Sequence, residues 1–186
     1  MSAISAPDLT LDPDLGFAPE RPEDARAVEA LIDHAFGPGR FVKTAERLRE
    51  GNHPRLDLSF CAWSGARMAG AVRQWPILIG GERAIFLGPF AIDPAWRRQG
   101  LGRRLIQEAC AAAEAAGERL ILLVGDLSYF GPLGFERVPA GRLVMPGPVD
   151  AGRVLWRAFA PGAIETLAGD VRFRATEALT IGPVLA

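Results

Sequence analysis

The chain has 186 residues, 49% of them hydrophobic and 23% charged, with Lys+Arg 21 against Asp+Glu 22 and a net charge of -1. Such a length and balance suit one globular domain with a sizeable core, and they exclude wholesale disorder and fibrous repeats. Without a basic excess to neutralise phosphates, the chain does not read as a dedicated nucleic-acid binder. Lys43 is the sole lysine, and nothing glycine-rich precedes it at the spacing of a GxxxxGK[ST] phosphate loop. Cys61 and Cys110 have neither metal-ligand spacing nor a disulfide framework, and read as small buried hydrophobes. Ten phenylalanines stand beside a single tyrosine, Tyr129. The opening MSAISAPDLTLDPDLGFAPE lacks the basic and apolar regions of a signal peptide, and no stretch approaches the roughly 18 apolar residues of a membrane span. A cytoplasmic location without a membrane partner is the resulting expectation.

Residues 1–14, rich in Ser, Pro and Asp, read as a flexible tail, and 15–186 as a single domain. A short extended piece, Leu15–Ala18, leads into Arg21-Pro22-Glu23-Asp24. Proline suits a first helical turn and the acidic pair complements the helix dipole, so a helix starts there. Ala27, Val28, Leu31, Ile32 and Ala35 recur at helical spacing, and Gly37-Pro38-Gly39 ends the run. Phe41–Arg49 reads as a second short helix. Then come three strands of an antiparallel meander: Leu56–Trp63, Met68–Ile79 with a bend or break at Pro76, and Ala84–Ile92. Leu101–Ala116 is a helix with Leu101, Leu105, Ala109, Ala112 and Ala116 on one face and Gly117 as its stop. Leu120–Val124 is a continuous apolar run, suited to a strand buried on both faces. Beyond it lie a helical turn near Ser128–Leu133 and strands near Phe135–Val138, Arg142–Met145 and Val154–Phe159. Strand, helix and strand over 84–124 make a βαβ unit. The fold class is therefore α/β of the α+β type: a mixed, mostly antiparallel central sheet with a central βαβ unit, two N-terminal helices and C-terminal strands.

The stretch Asp93-Pro94-Ala95-Trp96-Arg97-Arg98-Gln99-Gly100-Leu101-Gly102-Arg103-Arg104 joins a buried strand to a helix N-terminus. Unpaired backbone N–H groups and the positive end of the dipole converge there. Gly100 and Gly102 let a bulky anion approach the main chain, and Arg97, Arg98, Arg103 and Arg104 supply cations: a pyrophosphate site. A dinucleotide fingerprint GxGxxG would need a small residue where Leu105 stands. Asp126 could still pose as its ribose-binding acid, so a nucleotide-dependent oxidoreductase stays open as an alternative, weakened by the preceding meander.

Arg97-x-x-Gly100-x-Gly102 resembles the acetyl-CoA signature R/Q-x-x-G-x-G/A of the GCN5-related N-acetyltransferases (GNAT superfamily). The wider wording LGPFAIDPAWRRQGLG, LLVGDLSYFGPLGFERV and Gly134-Phe135-Glu136 is similar to a bacterial branch of predicted N-acetyltransferases. The resemblance implies a GNAT-like fold and an acetyl-CoA-dependent N-acetyltransferase, without a metal, that passes an acetyl group by direct attack to an amine of a small molecule or protein. It implies that Phe90, Ala91 and Ile92 bind pantetheine through main-chain atoms, next to a bulge at Gly88-Pro89. It further implies that Arg97, Arg98, Gln99, Gly100, Leu101, Gly102 and Arg103 bind the pyrophosphate, and it allows a homodimer. In that family the acid that protonates the departing thiolate is commonly a tyrosine four residues before the glycine of the GF pair. That position is Phe130 here, and Tyr129 stands one earlier. Two readings stay open: Tyr129 reaches the sulfur through a shifted turn, or water protonates the thiolate. A CoA-binding chain that has lost its chemistry is the corresponding alternative.

No general base declares itself. Glu82, Asp93 and Asp126 are the carboxylates near the unit, with Asp126 read as the cap of the 127–130 turn. His34 and His53 read as ordinary helix-side histidines. Alternation puts Arg73 and Trp75 on one face of their strand and Gln74 on the other. Arg73 and Trp75 read as sheet packing with a surface ion pair in preference to acceptor recognition, and Trp156 as core.

Overall fold

The structure is a computed structural model that describes residues 13–39 and 44–174. The expected tail lies, up to residue 12, outside the described residues, as do 41–43 of the expected second helix and the end of the chain from 175. β1 (Leu15–Pro19) opens the sheet, and a 3-10 turn at Pro22–Asp24 leads into α1 (Ala25–Phe36). The Asp24 carboxylate accepts the Arg21 N–H (3.0 Å) and pairs with the Arg21 guanidinium, which holds it below the usual carboxylate range. Val28, Leu31 and Ile32 carry the buried face of α1, and Gly37, at φ 62°, turns the chain away. α2 is short, Thr44–Arg47.

β2 (Phe60–Ser64), β3 (Arg67–Ile79) and β4 (Glu82–Ile92) form the meander. β2 starts four residues later than the sequence suggested, because 56–59 turns back on itself with Ser59 N–H bonded to Arg55 O. Pro76 does not break β3. Its carbonyl accepts from Arg174 N–H (3.0 Å), so its ring nitrogen faces that same edge and no donor is lost toward β4. The irregularity falls three residues earlier, between Val72↔Phe90 and Gln74↔Leu87. There Arg73 stands opposite both Gly88 and Pro89, the expected bulge on β4.

α3 (Leu101–Ala115) and β5 (Leu120–Val124) complete the βαβ unit, with β4 and β5 parallel. The helix buries Leu101, Leu105, Ile106, Ala109, Cys110 and Ala113; Ala112 is half-buried and Ala116 exposed, so the core face is rotated from the one the sequence suggested. α4 (Leu127–Phe130) runs into a 3-10 turn, followed by β6 (Glu136–Arg137), β7 (Leu143–Val144), β8 (Val154–Ala158), α5 (Ala163–Thr166) and β9 (Gly169–Phe173). The main strand order is β1-β2-β3-β4-β5-β8-β6. β9, which the sequence reading did not identify, pairs with Ile77–Ile79 of β3 beyond the reach of β2. The sheet is thus mixed and mostly antiparallel, as expected.

Alternation distributes the core over both faces. Ile121, Leu123 and Leu155 pack with α3, whereas Leu120, Leu122, Val154 and Trp156 join Phe86, Ile77 and Ile79 on the other side. Gln74 points toward α3, where its Nε2 donates to Leu58 O (2.6 Å) and Ala109 O (2.7 Å). Arg73 points the other way and is buried, not at the surface. Its Nη2 lies 2.6 Å from Glu20, and Nη1 reaches Glu29. The Arg73–Glu20 pair ties the end of β1 to the bulge. Removing one member of such a pair leaves the other charged and desolvated, which costs about 3–5 kcal/mol. Arg73→Ala should lose about that much stability in urea unfolding, whereas exposed Arg26→Ala should stay within about 0.5 kcal/mol.

Candidate functional site

β4 and β5 pair only at Ile85↔Ile121 and Phe86↔Leu122. β4 then bulges and continues to Ile92, while β5 runs on to Val124 and α4, so the two strands splay apart. The bulge is pinned from behind: Trp75 Nε1–H donates to Gly88 O at 2.6 Å, the Gly88–Pro89 peptide is cis, and Gly88 has φ 132°. Beyond the bulge, Phe90, Ala91 and Ile92 pair with Val72, Ala71 and Gly70 on one edge, and among the described residues no strand pairs their other edge. That leaves main-chain groups open toward the splay, apart from the Ile92 carbonyl, which accepts from Arg97 Nε (3.3 Å).

The loop after β4 is braced at its start. Asp93 accepts Ala95 N–H (2.9 Å) and Arg67 Nη2 (2.9 Å), and the Arg67 guanidinium lies 4.7 Å from the centre of the Trp96 ring. Arg98, at φ 64°, is the one non-glycine with positive φ among the described residues, and Gly100 follows in the left-handed region at φ 84°. Left-handed residues at a helix start turn successive N–H groups inward, the geometry that cradles an anion. Arg97, Arg98 and Arg103 are exposed, and neither Arg98 nor Arg103 makes an ion pair among the described residues. Arg104 is instead taken by Glu108 (2.6 Å).

A groove of about 480 Å³ brings most of the expected binding residues together: Phe90, Ala91, Ile92, Arg97, Arg98, Gly100, Gly102 and Arg103 all line it, with Tyr129 at its end. Two do not line it. Gln99 donates from Nε2 to Ala95 O (3.0 Å), and the Leu101 side chain is wholly buried, which leaves only their backbone to face an anion.

Tyr129 and Phe130 of α4 both line the larger of two cavities, but only Tyr129 reaches the groove. Phe130 is 9% exposed, packs edge-on to Phe135 (5.7 Å) and lies over Gly125, where a Cβ would strike its ring. Tyr129, 44% exposed, turns outward and leans across the first turn of α3. A Cβ on Gly102 would collide with its hydroxyl and stand 2.8 Å from Phe90 Cζ. Gly102 is therefore needed for this close approach as much as for anion binding. Burial pushes the Tyr129 hydroxyl above its ordinary value, with Arg103 opposing more weakly. Because the position four before Gly134 is filled by a core residue, its neighbour presents the hydroxyl.

A second cavity, of about 720 Å³, opens on the far side of Tyr129 between the splayed strands. Phe36, Phe90 and Tyr129 line both cavities, so the two meet at these rings. Among its other walls, Thr44 and Arg49 lie in the expected second helix Phe41–Arg49, whereas Pro148, Val149, Asp150 and Arg153 come from a segment without a motif. Asp126 occupies the N-cap position of α4, but its side chain makes no capping bond and pairs with Arg153 Nε at 3.2 Å. Glu82 pairs with Arg119, and Arg73 lines neither cavity. His34 and His53 are exposed and also line neither. Cys61 and Cys110 are buried, and burial pushes their thiols up to about 12 and about 11. Among the described residues no cluster of three His, Cys, Asp or Glu is placed to hold a metal ion, and no helix is long and apolar enough to cross a membrane.

A mixed sheet opened between the parallel strands β4 and β5, with a left-handed anion loop at one end of the gap, is the architecture of an acyl-CoA-type transferase. Residues 29–128 match the Acetyltransferase (GNAT) family, and the chain belongs to it. It is 30% identical over 119 residues to the uncharacterized N-acetyltransferase YhbS of Escherichia coli K12, covering 63% of this chain and 71% of that one. The crystal structure of E. coli YhbS in complex with CoA is similar, with a TM-score of 0.75, 25% identity, and coverage of 89% and 93%. A GNAT family acetyltransferase from Brucella melitensis in complex with acetyl-CoA gives 0.64 and 28%, over 87% and 96%. The oxidoreductase alternative falls with this membership and with the antiparallel β3–β4 pairing, since a dinucleotide fold needs parallel strands there.

Trp75→Phe should keep most of the packing but orphan the Gly88 carbonyl at the bulge. A loss of about 1–3 kcal/mol is expected in urea unfolding.

Proposed function

We propose that this chain is a cytoplasmic, acetyl-CoA-dependent N-acetyltransferase, working as one domain from Leu15 onward, and that Tyr129 is its leaving-group acid. The observation that carries the proposal is the place of the Tyr129 hydroxyl: over Gly102, where the anion groove meets the second cavity. The donor's parts fit what the chain offers. The open edge of Phe90–Ile92 suits the paired amides of a pantetheine arm, and the Arg98–Arg103 loop, whose Arg98 and Arg103 make no ion pair among the described residues, suits a pyrophosphate. When bound, the thioester supplies the acetyl group: the amine nitrogen bonds to its carbonyl carbon, the C–S bond breaks, and the sulfur leaves as a thiolate.

Tyr129 gives its proton to that sulfur. The amine nitrogen gives up a proton to water, and the tyrosinate takes one back, so the sum is amide plus free thiol. Because burial raises the hydroxyl above the ordinary tyrosine value of about 10, it stays protonated throughout neutral pH. Backbone N–H groups at the bulge and the dipole of α3 favour negative charge developing in the gap. Direct attack is preferred to an acyl-enzyme because both thiols are buried away from the cavities and held protonated.

Tyr129→Phe should lower kcat about 10²-fold or more while leaving the acetyl-CoA KM within about twofold, read as thiol release over an amine panel. A retained rate would end tyrosine acid catalysis here, because no second tyrosine exists. The wild-type rate should show no alkaline fall from this group below pH about 10, since a raised pKa moves that limb upward. Gly102→Val should displace both rings and abolish the rise in Tm with acetyl-CoA, while the unliganded protein stays folded by circular dichroism.

A further inference from the structure

The bulge at Gly88 and Pro89 decides which way the main chain beyond it faces. Before the bulge, Gln74 gives its N–H to Ser59 Oγ (3.0 Å) and its carbonyl to Arg55 N–H (2.8 Å), both away from β4. Its partner Leu87 accordingly faces away from β3. After the bulge, Asp93 N–H donates to Ala69 O (2.9 Å), so Asp93 faces β3. By alternation Ala91 faces β3 as well, whereas Ile92 and Phe90 face the open edge. The Ile92 carbonyl, taken by Arg97 Nε (3.3 Å), agrees. In an uninterrupted strand, counting from Leu87, Phe90 would face β3; the extra residue reverses it. The bulge thus aims the Phe90 N–H into the gap between β4 and β5, and Phe90 lines both cavities.

We propose that Trp75 is a positioning residue for the transfer: by holding the Gly88 carbonyl, it keeps the Phe90 N–H aimed at the oxygen of the thioester carbonyl. The proposal rests on the acetyltransferase reading.

Among the described residues, Trp75 is the one side chain that hydrogen-bonds a bulge atom, from Nε1 to Gly88 O at 2.6 Å. Arg73, opposite the bulge, gives its guanidinium to Glu20 and Glu29. The indole is 7% exposed and belongs to the core cluster of Ile77, Phe86, Leu122 and Trp156, so packing fixes the direction of its N–H. Trp75 lines neither cavity, while Gly88 and Pro89 line the larger one. The bond therefore lies behind the bulge as seen from the gap.

Pro89 has no N–H with which to hold the bulge in a ladder. Released from the indole, the Gly88 carbonyl turns to the water of the gap for a donor. A carbonyl oxygen there repels the negative charge that attack places on the thioester oxygen, and its swing carries the Phe90 N–H off line. Ile92 and the anion loop lie farther along the chain, where Asp93 and Arg67 brace them independently. Loss of the indole N–H falls on the reacting carbonyl and spares acetyl-CoA binding.

The test uses the full chain and acetyl-CoA isotope-labelled at the thioester carbonyl carbon. Difference infrared spectra isolate that carbonyl, and calorimetric titration gives the affinity. In the wild type the bound band should lie below that of free acetyl-CoA, because a hydrogen bond to the oxygen weakens the C=O bond. Trp75→Phe should return most of that shift and lower kcat for thiol release, over the amine panel, about tenfold or more. Its acetyl-CoA Kd should stay within about threefold. Benzothienylalanine placed at position 75 by nonsense suppression keeps the indole's shape and puts sulfur where the N–H was. It should return the shift as well, which separates the bond from the packing. Trp156→Phe removes another indole N–H of the same core, bonded to Glu136 at 3.2 Å, and should leave the band in place. An unshifted wild-type band, a shift retained with benzothienylalanine, or an equal loss in Trp156→Phe overturns this proposal and leaves the acetyltransferase reading standing. So does an unchanged kcat in Trp75→Phe, or a collapse of acetyl-CoA affinity with benzothienylalanine. Absence of acetyl-CoA binding by the wild type, or of thiol release with every amine, overturns both.

Discussion

The organising constraint is the short parallel pairing of β4 with β5, held at Ile85↔Ile121 and Phe86↔Leu122 and then abandoned. Parallel strands in a sheet interior normally keep their ladder, because a broken one strands backbone groups away from water. Here the break is built in. Gly88 and Pro89 oppose the single residue Arg73, and the Trp75 indole holds the bulge carbonyl. The unpaired edge of Phe90–Ile92 and both cavities follow from that break.

Two features keep the opening from collapsing. On one face, the buried Arg73 guanidinium, tied to Glu20 and Glu29, anchors the bulge to β1 and α1. On the other, Gln74 joins β3 to α3 through the carbonyl of Ala109. Polar groups inside a core are costly unless paired, and their pairing fixes one relative placement of the elements they join. The loop that follows β4 therefore starts from a rigid base, further braced by Asp93 and Arg67, before it enters the left-handed turn at Arg98 and Gly100.

Tyr129 shows how close packing decides which ring meets the groove. Phe130 is held against Gly125 and Phe135, and its burial rotates the neighbouring residue outward over Gly102. The wall beyond includes α2 and 146–150, which are distant in sequence and meet through hydrogen bonds to proline carbonyls. That cavity wall is thus assembled from segments distant in sequence, whereas the anion loop is encoded locally.

The sequence by itself determined the donor side. Arg97-x-x-Gly100-x-Gly102 lies between an apolar strand and a helix start, and local backbone geometry turns such a pattern into an anion loop wherever it folds. The meander, the βαβ unit and Leu120–Val124 were legible for the same reason: periodicity is local. What only the tertiary structure decided rests on contacts between distant segments. Pro76 remains inside β3 because its ring faces the end of the β9 ladder, and β9 itself is a strand because β3 offers it an edge. The face of α3 was misjudged because a run of alanines fits several rotations of the helix, and the sheet selected one. Asp126 answers to Arg153, and Arg73 to Glu20, because charges seek partners across space. The choice of Tyr129 over Phe130 lay in the packing of one ring, which no spacing rule contains.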